Sequence, residues 1–130
     1  MQDPYFAVKE EVVHSVAVVS DLHKKWRELA ASARKSDEFG WTSSELLSGL
    51  RSIEWDLQDL EDHVSIVEGL SDERRAIKFP DVDAAVLAQR KDLIDSVRQK
   101  IDMVRQSVTE MQSNEGGHAA TRLKVSRSAN

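Results

Sequence analysis

The sequence contains no cysteine, only two prolines and only five glycines among its 130 residues. The lack of cysteine excludes a disulfide framework and thiol chemistry. No apolar run approaches the roughly 18 residues of a membrane-spanning helix, and the amino terminus does not have the pattern of a signal peptide. The chain as given is therefore expected to be soluble.

The charge balance, the composition and the length restrict the possible class of protein further. Eighteen basic and 23 acidic residues give a net charge of -5 at pH 7, which argues against a general nucleic-acid binder. The sequence is 40% hydrophobic and 32% charged, which is too apolar for a disordered chain and typical of a helical bundle. Its length suits one domain with a single elongated core.

The first periodic segment begins at the stretch DPYFAVKEEV. Asp3 is the predicted N-cap, and Pro4 takes the first helical position, where no amide donor is needed. The charged stretch RKSDEFG ends the pattern, so we predict a helix over about 4–33. Apolar residues follow heptad spacing at Tyr5, Val8, Val12, Val19, Leu22, Trp26, Leu29 and Ala33.

The second segment has the clearest start signal. Thr42 and Glu45 match a capping box, and Trp41 with Leu46 matches a hydrophobic staple. Gly69 is a natural stop, so we predict a helix over about 43–68. The apolar stripe then runs without a break through Leu46, Leu50, Ile53, Leu57, Leu60, Val64 and Val67.

The third segment repeats this design. Asp83 is the predicted N-cap, Val82 and Leu87 flank it as a staple, and Arg90 is the one exception in the stripe. We predict a helix over about 84–112, followed by a disordered polar tail over 113–130. The stripe consists of Leu87, Ile94, Val97, Ile101, Val104, Val108 and Met111.

Three helices joined by loops can return on themselves, so the predicted fold is all-α: an antiparallel up-down-up three-helix bundle over 3–112. Each stripe finds its partners within the chain, and we therefore expect a monomer. A spectrin-like or coiled-coil structural module is the alternative, and it would associate through the same stripes.

Catalytic and metal-binding patterns are sparse. Glu11 and His14 have the Glu-x-x-His spacing of carboxylate-bridged metal bundles, but no second such pair occurs. A metal-carboxylate enzyme would therefore need a second chain to complete its four-helix site. No phosphate-binding glycine loop, G-x-S-x-G or H-E-x-x-H motif is present. We expect neither an enzyme nor a cofactor or metal site.

The second helix alone makes the net charge of the chain negative, because residues 42–68 contain seven acidic residues and one basic residue. A tryptophan lies on the side of that helix opposite its apolar stripe. Either this side is only a solvated face with Trp55 lying flat on a neighbour, or it is a docking face for a basic partner. Phe6, off the first stripe, and the adjoining Tyr5 are candidates for a second contact near the end of the bundle. The predicted docking line consists of Trp55, Asp59, Asp62 and Ile66.

Several stretches together resemble one family. These are the opening DPYFAVKEEV, the spacing W-x-x-L at Trp26 and Leu29, the motif LRSIEWDLQDLEDHVSIVE, and QRKDLIDSVRQKIDMV near the end. They are similar to the amino-terminal domain of the syntaxin-6 and syntaxin-10 group of SNARE proteins, over about Asp3 to Met111. The middle motif is the most specific, because it also matches at the off-stripe residues Arg51, Glu54 and Trp55.

The resemblance implies a three-helix Habc-like domain that recruits partners, among them the GARP tethering complex. It further implies traffic between endosomes and the trans-Golgi network, on the cytosolic face of those membranes. In that group a separate SNARE helix pairs with other SNAREs, and a carboxyl-terminal anchor holds the protein in the membrane. Neither follows Met111, so we expect this chain to be a fragment that cannot itself drive fusion.

Overall fold

The computed structural model describes the backbone of residues 3–126 and the side chains of residues 3–111. The chain forms α1 (Tyr5–Ser32), α2 (Asp37–Glu68), α3 (Asp72–Lys78) and α4 (Ala84–Ser126), and no strand occurs within the described backbone. Helix α2 packs against both α1 and α4, whereas α1 and α4 have little direct contact. The predicted all-α bundle is confirmed, and α3 is an unpredicted short helix in the connection between α2 and α4.

The core is built from the three predicted stripes. All seven stripe residues of α2 are buried, with Leu57 fully inaccessible. In α1 the stripe alternates between buried residues such as Val12 and Trp26 and half-buried ones such as Leu22. In α4 every stripe residue from Leu87 to Val108 is buried, and Arg90 is buried with them. The heptad pattern therefore identified most of the core and singled out Arg90, whereas the buried residues Ala30 and Phe39 lie outside the predicted stripes.

The start of α2 differs from the prediction. The helix begins at Asp37, where the Ser36 hydroxyl accepts a hydrogen bond of 3.1 Å from the Phe39 amide. Thr42 lies inside the helix, and its buried hydroxyl has no hydrogen-bond partner among the described residues. The predicted capping box at Thr42 is therefore wrong. The staple is wrong as well, because Trp41 is 57% exposed. Burial of Phe39 in the core favours the longer helix.

The caps of the other two long helices agree with the prediction. Asp83 accepts a hydrogen bond of 2.9 Å from the Val86 amide, as an N-cap carboxylate does. Asp3 accepts a bond of 3.1 Å from the Tyr5 amide, although the helix is assigned from Tyr5 onward. Assignments of helix ends differ by a residue or two, so this difference carries no structural weight.

The carboxyl-terminal end of α4 also differs from the prediction. Its backbone continues as a helix to Ser126, beyond the expected end near residue 112. The predicted end of the helix near residue 112 is therefore corrected, the disorder predicted over 113–130 stays a prediction, and residues 127–130 lie outside the described residues. An apolar stripe marks where a helix packs and not where its backbone hydrogen bonding stops, which explains the difference. The division into a domain over 3–112 and a separate tail stays a prediction.

Ion pairs join α4 to α2 along one side of their contact. Three acidic residues of α2, spaced one heptad apart, form ion pairs with three basic residues of α4. The basic residues have the same spacing but follow in the reverse order along the chain. Flanking pairs of this kind favour one register and the antiparallel direction of the two helices. The pairs are Glu54 with Arg105, Glu61 with Arg98 at 2.5 Å, and Glu68 with Lys91 at 2.7 Å.

Candidate protein-interaction surfaces

The predicted docking line on α2 faces away from the bundle. Trp55 is 74% exposed and Ile66 is 65% exposed, and both Asp59 and Asp62 are exposed as well. The stripe residues on the opposite side of the helix are buried, which fixes this orientation. A tryptophan with three quarters of its surface in water does not lie flat on a neighbour. We call Trp55, Asp59, Asp62 and Ile66 the acidic face.

The carboxylates of the acidic face have no cationic partner among the described residues. Neither Asp59 nor Asp62 forms an ion pair within the described residues, although Asp62 accepts a hydrogen bond of 2.9 Å from the Gln58 amide. Burial raises the pKa of the neighbouring Asp56, and the charges of Glu11 and Asp59 add to this shift. A cationic side chain of a partner would relieve this crowding of like charges.

Tyr5 and Phe6, the second predicted contact, lie in different surroundings. Phe6 is 57% exposed, as a contact residue should be. Tyr5 is only 4% exposed and so does not lie on the surface, and its role in a contact stays a prediction. Its heptad position directs its ring into the core, where it meets the Phe6 ring edge-on with a centroid distance of 5.6 Å. The buried Tyr5 ring therefore packs against the exposed Phe6 ring.

A buried arginine lies beneath these rings. Arg90 is 3% exposed, and its Nη2 donates a hydrogen bond of 2.6 Å to Asp3 Oδ2. The guanidinium carbon lies 4.0 Å from the centroid of the Tyr5 ring and 5.5 Å from that of Phe6. A desolvated cation over an aromatic face is held by the ring quadrupole. The guanidinium thus ties the start of α1 to α4.

Asp3 extends this contact to α2. Its Oδ1 accepts from the Tyr5 amide and lies 3.2 Å from His63 Nε2. Burial by itself would raise the pKa of Asp3, but the hydrogen bond and charge of Arg90, helped by the Tyr5 amide and by His63, lower it on balance. Asp3 is therefore a carboxylate at neutral pH and joins all three long helices. The sequence indicated Asp3 as an N-cap and Arg90 as the exception in the α4 stripe, but it did not indicate that these two residues meet.

A cavity of about 290 Å³ opens beside Arg90 between α1 and α4. Its walls combine apolar and charged side chains, and the exposed Phe6 ring forms one of them. No sequence signal pointed to it, because it depends on how far α1 and α4 stand apart. It is lined by Asp3, Tyr5, Phe6, Lys9, Asp81, Val86, Gln89, Arg90 and Leu93.

Metal and membrane sites were also sought among the described residues. No group of three or more histidine or acidic side chains there is arranged to hold a metal ion. Glu11 and His14, the candidate pair, are both exposed on α1. None of the described helices combines the length and the apolar character needed to cross a bilayer.

Comparison with known proteins agrees with this architecture. Residues 3–105 match the family described as Syntaxin 6/10/61, N-terminal. The chain belongs to this family. The resemblance seen in the sequence is thereby confirmed, and the matched range covers α1, α2, α3 and the first half of α4. Membership also agrees with the expectation that the chain is not an enzyme.

Three relatives illustrate the range of similarity. Syntaxin-6 of Rattus norvegicus is 45% identical over 101 residues, which is 76% of this chain and 37% of the relative. Syntaxin-10 of Homo sapiens is 36% identical over 107 residues, 81% of this chain and 41% of the relative. Syntaxin-61 of Arabidopsis thaliana is 28% identical over 123 residues, 92% of this chain and 45% of the relative. The chain thus spans about two fifths of the length of these relatives.

Proposed function

We propose that this chain is the non-catalytic interaction domain of a SNARE protein in vesicle traffic, and that its acidic face docks a partner. Family membership supports the trafficking role. The observation that carries the docking role is Trp55, 74% exposed on α2 next to carboxylates that form no ion pair within the described residues. Tryptophan is over-represented among residues that dominate binding energy.

The chemistry of this face defines its partner. Trp55 and Ile66 supply apolar area, and the carboxylates of Asp59 and Asp62 supply negative charge around it. A basic amphipathic helix fits this arrangement, with an apolar stripe over Trp55 and lysine or arginine side chains at the rim. Rim charges mainly raise the association rate, so capture should weaken as salt increases.

The finer parts of the proposal rest on the family resemblance. The traffic step is between endosomes and the trans-Golgi network, on the cytosolic face of those membranes. The partner is a subunit of a GARP-type tethering complex, and other SNAREs bind a carboxyl-terminal SNARE helix of the whole protein. Within that protein the domain acts as a recruiting module and stays monomeric. Light scattering that gave a tight dimer at micromolar concentration would instead favour the coiled-coil alternative.

The test replaces one exposed tryptophan at a time. We expect Trp55→Ala to leave the circular dichroism spectrum intact and to reduce capture of tethering-complex subunits from cytosol at least about tenfold. The control is Trp41→Ala, which removes the same residue type from the same helix at a site 57% exposed but outside the acidic face. Replacement of Asp59 and Asp62 by asparagine should reduce the salt dependence of capture.

Three results bear on the outcome. Unchanged capture by folded Trp55→Ala would remove the docking role of this face. Equal loss in Trp41→Ala would show that capture responds to exposed tryptophan in general. Loss of helicity in Trp55→Ala would make this residue structural.

A further inference from the structure

We propose that His23 makes the contact between α1 and α4 sensitive to pH. A neutral imidazole lets the two helices pack together at this level, and protonation of the ring separates them there while α1 stays packed on α2. This response is independent of the acidic face, so the two proposals can fail separately.

The heptad position of His23 directs its ring toward α4. Lys9 lies two heptads before His23 and Ala30 one heptad after it, and both line cavities between α1 and α4. His23 is half-buried between them, and its ring stacks on Trp26 with a centroid distance of 5.8 Å and an interplanar angle of 25°. A change in the charge of this ring therefore acts on the space between the two helices.

One nitrogen of the ring is buried without an acceptor. His23 Nε2 has no hydrogen-bond partner among the described residues, and the Ser20 hydroxyl, one turn earlier, is buried without a partner as well. A protonated imidazole carries a hydrogen on both of its nitrogens. Nε2 would then be a charged donor that reaches neither water nor an acceptor, which is costly unless the ring moves into solvent.

The surrounding charges add to this cost. Burial lowers the pKa of His23 below its ordinary 6.5, and the cations Arg27 of α1 and Lys100 of α4 lower the pKa further. Within the described residues, no charged group of α2 and no carboxylate contributes to this shift. Glu110 of α4, which lines the adjoining cavity, accepts a hydrogen bond of 3.0 Å from the Gln106 amide. Protonation of His23 therefore adds a third cation to two that are already there.

The contact of α1 with α4 is weaker than its contact with α2. Helix α1 packs extensively against α2, whereas α1 and α4 have little direct contact. A cavity of about 410 Å³ already lies between α1 and α4 beside Trp26 and Arg27. A ring that must reach water is therefore expected to part α1 from α4, and not from α2.

The direction of the pH response follows from the lowered pKa. The stability that the neutral ring contributes is fully present above 6.5, and it is lost as the pH falls from there through the folded pKa of His23. Asp3 does not titrate in this range, because its pKa is lowered from 3.8 in the folded chain. Its contact with Arg90 at the amino-terminal end of α1 should therefore persist while the helices separate around His23.

Two measurements on the whole chain test the proposal. NMR titration of the imidazole protons should give a pKa below 6.5 for the signal that disappears in His23→Gln. Because the chain has no cysteine of its own, pairs of spin labels can report helix distances by electron paramagnetic resonance. Labels at Lys24→Cys of α1 and Met103→Cys of α4 should move apart as the pH falls through that pKa. Labels at Lys24→Cys and Arg51→Cys of α2 should keep their distance.

Three histidine variants provide the matched comparison. His23→Gln keeps a polar side chain that does not titrate, so the labels on α1 and α4 should stay at their neutral distance down to about pH 5. His14→Gln removes an exposed histidine from the same helix, and His63→Gln removes the half-buried histidine that contacts Asp3. Both of these variants should respond to pH as the native chain does.

The proposal is overturned if the pKa of His23 is 6.5 or higher, if the labels on α1 and α4 do not separate, or if they separate equally in His23→Gln. Simultaneous separation of α1 from α2 would indicate general acid unfolding and would overturn it too. The ring titration in the native chain decides the first point even where His23→Gln fails to fold. Trp55→Ala should leave both measurements unchanged, which separates failure here from failure of the acidic face.

Discussion

The contact between Asp3 and Arg90 predicts an unequal response to removal of its two partners. Asp3→Asn leaves a guanidinium that is 97% buried, since Arg90 is 3% exposed, without its carboxylate. Loss of one member of a buried pair costs about 3–5 kcal/mol. The Tyr5 ring at 4.0 Å offsets part of this cost, so we expect a loss of about 3 kcal/mol. Asparagine is as good an N-cap as aspartate, so the loss does not come from the cap.

The opposite change should be mild. Arg90→Met places an apolar side chain at a stripe position of α4, and it leaves Asp3, whose side chain is 19% exposed and can be hydrated. Replacement of buried ionic groups by apolar ones of similar size is often neutral or stabilising. We expect a change within about 1 kcal/mol. The double variant, Asp3→Asn with Arg90→Met, should resemble Arg90→Met alone, because it contains no guanidinium that the loss of the carboxylate could leave unpaired.

Urea unfolding followed by circular dichroism measures these differences. The pKa of Asp3 is lowered from its ordinary 3.8 in the folded chain. Its charge therefore contributes stability that is fully present above that value and is lost as the pH falls through the folded pKa. The cost of Asp3→Asn should shrink accordingly in acid. Equal costs for the two single variants at neutral pH, or a cost of Asp3→Asn below about 0.5 kcal/mol, would refute the reasoning.

Five further substitutions, two contrasted pairs and one single change, test the fold by urea unfolding. Thr42→Val should stabilise the chain by about 1 kcal/mol, because it removes a buried hydroxyl that has no partner among the described residues. Ser36→Ala should cost about 1 kcal/mol, because the cap of α2 is lost. If Thr42→Val destabilised the chain and Ser36→Ala did not, the capping box at Thr42 would be supported instead. Gly40→Ala should stabilise α2 by about 0.5–1 kcal/mol because its new Cβ meets nothing within 4 Å. Gly49→Ala should instead destabilise the chain, since its Cβ would lie 2.9 Å from the Val19 side chain of α1. Equal effects of the two glycine substitutions would contradict this packing. Leu57→Ala should cost about 2–5 kcal/mol, and a cost under about 1 kcal/mol would place this residue outside the core.

The sequence by itself determined which side of each helix faces the core. Leu57 is buried and Trp55 is exposed because heptad spacing assigns them to opposite sides of α2, whatever packs against it. The exposure of the four residues of the acidic face could therefore be predicted, whereas their role in docking stays a prediction. Tyr5 follows the same rule, since it is a stripe residue and is buried.

Only the tertiary structure decided the start of α2. Serine is the better N-cap by residue type, but Thr42 also has a glutamate at the capping-box position, so local sequence does not choose between Ser36 and Thr42. The choice depends on α1, because the Trp26 ring stacks on Phe39 at 5.8 Å and its Nε1 donates to the Ser43 hydroxyl at 2.9 Å. Both contacts are made with residues in or beside the turns that the longer helix adds.

The cavity beside Arg90 likewise belongs to the tertiary structure. Asp3 and Arg90 are 87 positions apart, and a sequence pattern with a heptad period carries no information on which distant residues meet. Local spacing fixes the face of a helix because the helical repeat is a property of the backbone itself. The pairing of a buried charge, and the gap left between two helices, depend on all three helices at once.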